Sequence, residues 1–123
     1  MPRDALTPDN PAMKDFPLSP AVRAGEFLYL SGQVGLDSAG ELPDDVSAQT
    51  ANALANLAAV LKRAGKSLDD VVKANIFITD MADYAAMNAA YAKAFTKPYP
   101  ARTCVAVAAL PRGARVEIEV IAR

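Results

Sequence analysis

The closing stretch Arg115-Val116-Glu117-Ile118-Glu119-Val120-Ile121 constrains the fold more than any other part of the chain. Successive side chains of a strand point to opposite faces of its sheet. Read as a strand, Val116, Ile118 and Val120 share one face, and Arg115, Glu117 and Glu119 share the other. The apolar side needs a core. The other side is not covered by the helices that supply that core. A partly apolar sheet face left uncovered predicts an interface between copies of the chain.

The rest of the pattern supplies the remaining elements. Ala21 to Ala24 and Phe27 to Gly32 read as a strand pair turning at Gly25-Glu26. Gly35 to Pro43 reads as a loop. A helix is predicted from about Ser47 to Ala64, with Asp44, Asp45 and Ser47 as cap candidates. Its buried stripe is Leu54, Leu57 and Leu61, its wet face carries Asn52 and Asn56, and Gly65 ends it. Val71 to Thr79 alternates as a strand, with Val72, Ala74, Ile76 and Ile78 facing one way. Asp80 can cap a second helix with the stripe Tyr84, Met87, Tyr91 and Phe95, stopped by Pro98 and Pro100. Thr103 to Leu110 reads as a strand, Pro111-Arg112-Gly113 as a turn, and Arg115 to Ile121 as the last strand. The order β-β-α-β-α-β-β implies an α+β fold, with one mixed sheet and two helices on one face. The 123 residues fit a single domain over 1–123, with a proline-rich, irregular segment at 1–16.

Composition removes several chemistries. There is no histidine, which excludes Ser-His-Asp and Cys-His nucleophile pairs and any His-bearing zinc site. Acid–base work falls to carboxylates, Lys, Tyr, Cys or ordered water. The one cysteine, Cys104, cannot form an intrachain disulfide, so a reducing, cytoplasmic setting is expected. Residues 1–10 do not read as a secretory signal, and no apolar run approaches the ~20 residues that span a bilayer. Thirteen basic and fourteen acidic residues give a formal net charge of −1, so neither a nucleic-acid nor a membrane partner is expected.

Two segments carry candidate chemistry: Ser31-Gly32-Gln33, and the run from Pro100-Ala101-Arg102-Thr103-Cys104-Val105 through Leu110-Pro111 to Val116-Glu117-Ile118-Glu119. The guanidinium fork of Arg102 suits a carboxylate; the alternative is an ion pair with Glu117 or Glu119. Glu117 can accept a proton or orient a water, or be an ordinary strand glutamate. Cys104 is a nucleophile, a small hydrophobe, or a residue used through its backbone. Ser31 and Gly32 allow close approach of a ligand to the backbone, or serve a turn. Asn88 faces a site or solvent, and Tyr91 walls a pocket or joins the core.

These segments resemble the Rid family, the YjgF-type reactive-intermediate deaminases. The likeness rests on the Pro-Ala-Arg-Thr strand opening at 100–103, Leu110-Pro111, and Val116-Glu117-Ile118-Glu119. It extends to Gly40-Glu41-x-Pro43-x-Asp45 and to the spacing of Asn88 and Tyr91. The resemblance implies a chorismate-mutase-like fold and a homotrimer with clefts between subunits. It implies hydrolysis of small 2-imino or enamine acids to keto acids and ammonia, with no cofactor or metal. Carried over, Arg102 clamps the substrate carboxylate and Glu117 handles the water. Ser31, Gly32, Asn88 and Cys104 line the site. Many deaminating members carry a pocket tyrosine where this chain has Leu18, which implies a larger or more apolar substrate or a weaker activity. The connection Thr96 to Pro100 is shorter than in many relatives, and Thr103 replaces the commoner serine. The alternative function is a non-catalytic trimer that binds small carboxylic acids.

Overall fold

The computed structural model describes residues 2–123. A two-residue strand, β1 (Asp4–Ala5), lies within the proline-rich start and pairs antiparallel with β2 (Ala21–Ala24). β2 turns at Gly25, whose φ of 60° suits a residue without Cβ, into β3 (Phe27–Leu30). Leu28 and Leu30 face the core, while Phe27 and Tyr29 face outward. A two-residue strand, β4 (Gln33–Val34), follows.

Helix α1 (Val46–Arg63) starts where the Asp45 carboxylate accepts the backbone N–H groups of Ser47 and Ala48. It buries Leu54, Leu57 and Leu61, and Lys62 and Arg63 lie at its negative C-terminal end. β5 (Val71–Ile78) leads to α2 (Tyr84–Ala94) through a 3-10 turn capped by Asp80. β6 (Ala101–Ala106) and β7 (Val116–Ala122) complete the chain.

The sheet order is β1-β2-β3-β7-β5-β6, with β4 also pairing with β7. Among the described residues β5 and β6 run parallel and the other pairs antiparallel, so the sheet is mixed. Both helices pack on the face that carries Ala74, Ile76 and Ile78 of β5 and Val116, Ile118 and Val120 of β7. This is the α+β arrangement the sequence pattern predicts. Each fully buried Leu or Ile contributes about 1.5–3 kcal/mol of transfer free energy.

Several local features differ from the sequence reading. Val72 is 42% exposed rather than inward-facing. A register shift between Val71 and Lys73 inserts an extra residue, so Val71 takes the buried position. Tyr84 leaves the expected core stripe; only Met87, Tyr91 and Phe95 are buried. Asn52 and Asn56 are not a wet face. The Asn52 amide donates to the Gly35 carbonyl, and that of Asn56 donates to the carbonyls of Val34 and Leu36. The sixth strand ends at Ala106 instead of Leu110.

A polar cluster ties the elements together. Gln49 is 2% exposed and donates to the Pro43 carbonyl while accepting the Arg115 backbone N–H. The Arg115 guanidinium makes two bonds to the Asp83 carboxylate, at 2.7 and 3.2 Å, and a third to the Asp44 carbonyl. The starts of α1, α2 and β7 are thereby fixed to one another. Gly35 passes directly over this point: a Cβ there would collide with the Gln49 backbone at its carbonyl group and Cα. Gly35→Ala must displace backbone rather than a flexible side chain. Urea unfolding at fixed protein concentration should show a loss of about 3 kcal/mol or more. A loss within ~0.5 kcal/mol would contradict the close approach.

Candidate functional site

Arg102 and Cys104 pair in register with Ala74 and Ile76 of β5, so they lie on the helix-covered face at the sheet edge. Arg102 Nη2 donates to the Tyr84 hydroxyl at 3.0 Å. Its guanidinium carbon sits 5.0 Å from the Tyr91 ring centroid and 5.7 Å from that of Tyr84, within cation–π range. Among the described residues no carboxylate pairs with Arg102. Glu119, one possible partner, instead accepts from the Asn75 amide.

A cavity of about 300 Å³ opens beside this guanidinium, lined by Asn88, Tyr91, Ala92, Tyr99, Pro100 and Arg102. Among the described residues neither Asn88 Oδ1 nor the Tyr91 hydroxyl, both buried, has a hydrogen-bond partner. An unsatisfied buried polar atom costs about 1–3 kcal/mol. Burial pushes the Tyr91 hydroxyl above its ordinary pKa, with Arg102 opposing, so it stays protonated and able to donate. Burial likewise raises the Cys104 thiol, again opposed by Arg102. A raised thiol is a poor nucleophile. Cys104 packs against the core as a small hydrophobe.

A second group lies on the opposite face. Glu117 pairs with Phe77 of β5 and Val34 of β4, away from the helices. Gly32 makes room for it: a Cβ there would lie 3.0 Å from the Glu117 carboxyl carbon. Burial, and secondarily the charge of Glu119, raises the Glu117 pKa from its ordinary value. The Ser31 hydroxyl donates to the Ser19 carbonyl at 2.6 Å, holding the segment that bears Leu18. Leu18, Tyr29, Ser31 and Glu119 border a broad depression of about 680 Å³.

One chain thus gathers Arg102, Asn88 and Cys104 on one face, and Glu117, Gly32, Ser31 and Leu18 on the other. Arg102 and Glu117 are not brought together, since β6 and β7 stand on either side of β5, roughly 10 Å apart. Sequence reasoning missed Tyr84 and Tyr99 beside Arg102. The signal for Tyr84 was its spacing: four residues before Asn88 and seven before Tyr91, one helix face. A larger groove of about 510 Å³ between α1 and α2 is lined by alanines and leucines, with Asp45, Ser47 and Lys93 as its polar residues. Among the described residues no cluster of three or more Cys, Asp or Glu side chains is placed to hold a metal. No helix among them is long and apolar enough to cross a membrane.

The family described as Endoribonuclease L-PSP matches residues 10–123. RidA from the Antarctic bacterium Psychrobacter superposes with a TM-score of 0.83 at 40% identity, covering 97% of this chain and 93% of that one. The chain belongs to the Rid family. Mouse 2-iminobutanoate/2-iminopropanoate deaminase is 47% identical over 108 residues, 86% of this chain and 80% of that protein. Escherichia coli TdcF, solved with bound serine, has a TM-score of 0.83 at 36% identity and covers 97% of this chain and 92% of its own. The chorismate-mutase-like α+β class implied by the Rid resemblance is the class of this fold.

The raised Glu117 pKa has a stability consequence. Ionising a carboxyl that folding has desolvated opposes folding, so stability is full below the ordinary value of 4.5 and falls as pH rises through the folded value. Glu117→Gln removes the charge and keeps the shape. Its melting temperature at pH 7 should equal or exceed that of wild type, and the difference should close below about pH 4.5. A variant clearly less stable than wild type at pH 7 would contradict burial as the dominant cause.

Proposed function

We propose that this Rid chain hydrolyses small 2-imino acids to 2-keto acids and ammonia, in clefts between the subunits of a homotrimer of single-domain chains. The observation that carries the reading is the Arg102 cavity. Among the described residues, the Arg102 guanidinium has no counter-ion and lies beside a buried acceptor, Asn88 Oδ1, that has no donor. A ligand with a carboxylate at one end and an N–H at the other satisfies both. The serine bound to Escherichia coli TdcF has that pairing, and the mouse deaminase acts on acids of that kind by its name.

The separation of the two groups supports an intersubunit site. The outward face bearing Glu117 is the partly apolar face the helices leave bare, with Phe27 and Tyr29 exposed on it. A neighbouring copy would bring its Glu117, Gly32 and Ser31 to the Arg102 cavity. In the proposed reaction, Arg102 holds the carboxylate and polarises the adjacent imine carbon. Water adds to that carbon as Glu117 takes its proton. That proton passes to nitrogen, giving a carbinolamine; Glu117 then carries the proton of the new hydroxyl to nitrogen as the C–N bond breaks, and the keto acid and ammonia leave. A carboxyl with a raised pKa is a stronger base than an ordinary one and returns the proton as an acid in the second half of the transfer. No cofactor enters. Tyr99, Pro100 and Ala92 around the cavity, with Leu18 in place of a phenol, favour a substrate with an apolar side group. The chain's near-zero net charge gives no steering toward RNA, despite the family's ribonuclease description. The loss of the phenol at Leu18 favours the second reading, a trimer that binds small carboxylic acids without turnover.

Imines of several sizes, generated in place by an amino-acid oxidase, test the proposal. Wild type should accelerate keto-acid release. Arg102→Ala, which removes a charged two-bond contact, should lose roughly 10²–10³-fold in kcat/KM. If wild type accelerates none of the imines yet binds small carboxylates, the non-catalytic reading replaces this one.

A further inference from the structure

We infer that Tyr84 is a positioning residue for Arg102, its phenol oxygen holding the guanidinium fork toward the cavity; the inference rests on the reading of Arg102 as a carboxylate receptor. Tyr84 is 38% exposed at the first position of α2, so core packing does not account for its ring. Its hydroxyl accepts from Arg102 Nη2 at 3.0 Å, and its ring and that of Tyr91, two helical turns on, both face the guanidinium.

The chemistry of the acceptor matters. A carboxylate at this place would neutralise Arg102 and compete with an anionic ligand. A phenol accepts one hydrogen bond and leaves the charge intact. Arg has five N–H donors, so four remain after the Tyr84 contact. A free arginine side chain carries about 2 kcal/mol of rotamer entropy, part of which a bound ligand would otherwise have to remove.

Tyr84 is itself well placed to do this. It directly follows Asp83, whose carboxylate is gripped twice by Arg115. Asp80 caps the turn before it, and Met87, one turn on, is fully buried. The start of α2 is therefore anchored from both sides, and the phenol oxygen is held where the edge strand β6 delivers Arg102.

Tyr84→Phe deletes one oxygen and keeps the ring. Two readouts test it in the full-length protein: the side-chain ¹⁵N resonances of Arg102, identified by their loss in Arg102→Ala, and calorimetric binding of 2-oxobutanoate beside imine-hydrolysis kinetics. Wild type should show hindered rotation at Arg102 Nη that Tyr84→Phe abolishes. The variant should raise the Kd and KM roughly 3–10-fold and leave kcat within about twofold. In an Arg102→Ala background the same change should do nothing further. Unchanged Arg102 resonances, or equal weakening in the Arg102→Ala background, would overturn the inference. If wild type neither binds 2-oxobutanoate nor hydrolyses imines, the deaminase reading falls by itself, and the Arg102 resonances in Tyr84→Phe still decide whether the phenol holds the fork.

Discussion

Strand β7 is the part on which the rest of the molecule depends. It pairs with β3, β4 and β5, and its alternation divides the protein in two. Val116, Ile118 and Val120, all at most 2% exposed, anchor the helices to one face. Glu117 and Glu119 stand on the other, where no helix covers them. The pleat makes this division obligatory: a strand cannot bury one set without presenting the other. Hydrophobic burial on the helix side therefore fixes where the carboxylates point. The Gln49–Arg115–Asp83 cluster at the start of β7 then fixes that strand against both helices.

The same division gives the proposed chemistry its form. The cation and the orphaned acceptor belong to the α2–β6 edge, and the carboxyl with the raised pKa belongs to the bare face. Two surfaces of one chain that cannot meet are suited to meeting a second copy. On this view the oligomer is part of the proposed site rather than an addition to it. The tyrosines around Arg102 complete the picture. They orient a permanent charge without neutralising it, which a receptor for a small anion requires.

Much of this was legible in the chain. The period-two run at 115–121, the Leu54-Leu57-Leu61 stripe and the glycine and proline breaks located every long element to within a few residues. Arg102 and Glu117 stood out through their place in a long motif. What was not legible was short or non-local. The two-residue strands β1 and β4 have too few residues for a period. The bulge after Val71 shifts the burial pattern by one residue, which alternation alone cannot reveal. Asn52 and Asn56 read as solvent-facing, because their partners are carbonyls of β4 and the loop after it, about twenty residues away in sequence.

Periodicity and composition by themselves determined the α+β class, the two helices, the apolar face of β7, and the exclusion of histidine and disulfide chemistry. These follow from side-chain geometry along a single element, which depends only on residue order. Tertiary structure alone decided that Arg102 and Glu117 occupy opposite faces, that Tyr84 leaves the core to hold Arg102, and that Gly35 must be glycine. Each depends on where a distant segment packs, and the free energy that places that segment comes from the whole core rather than from its own residues.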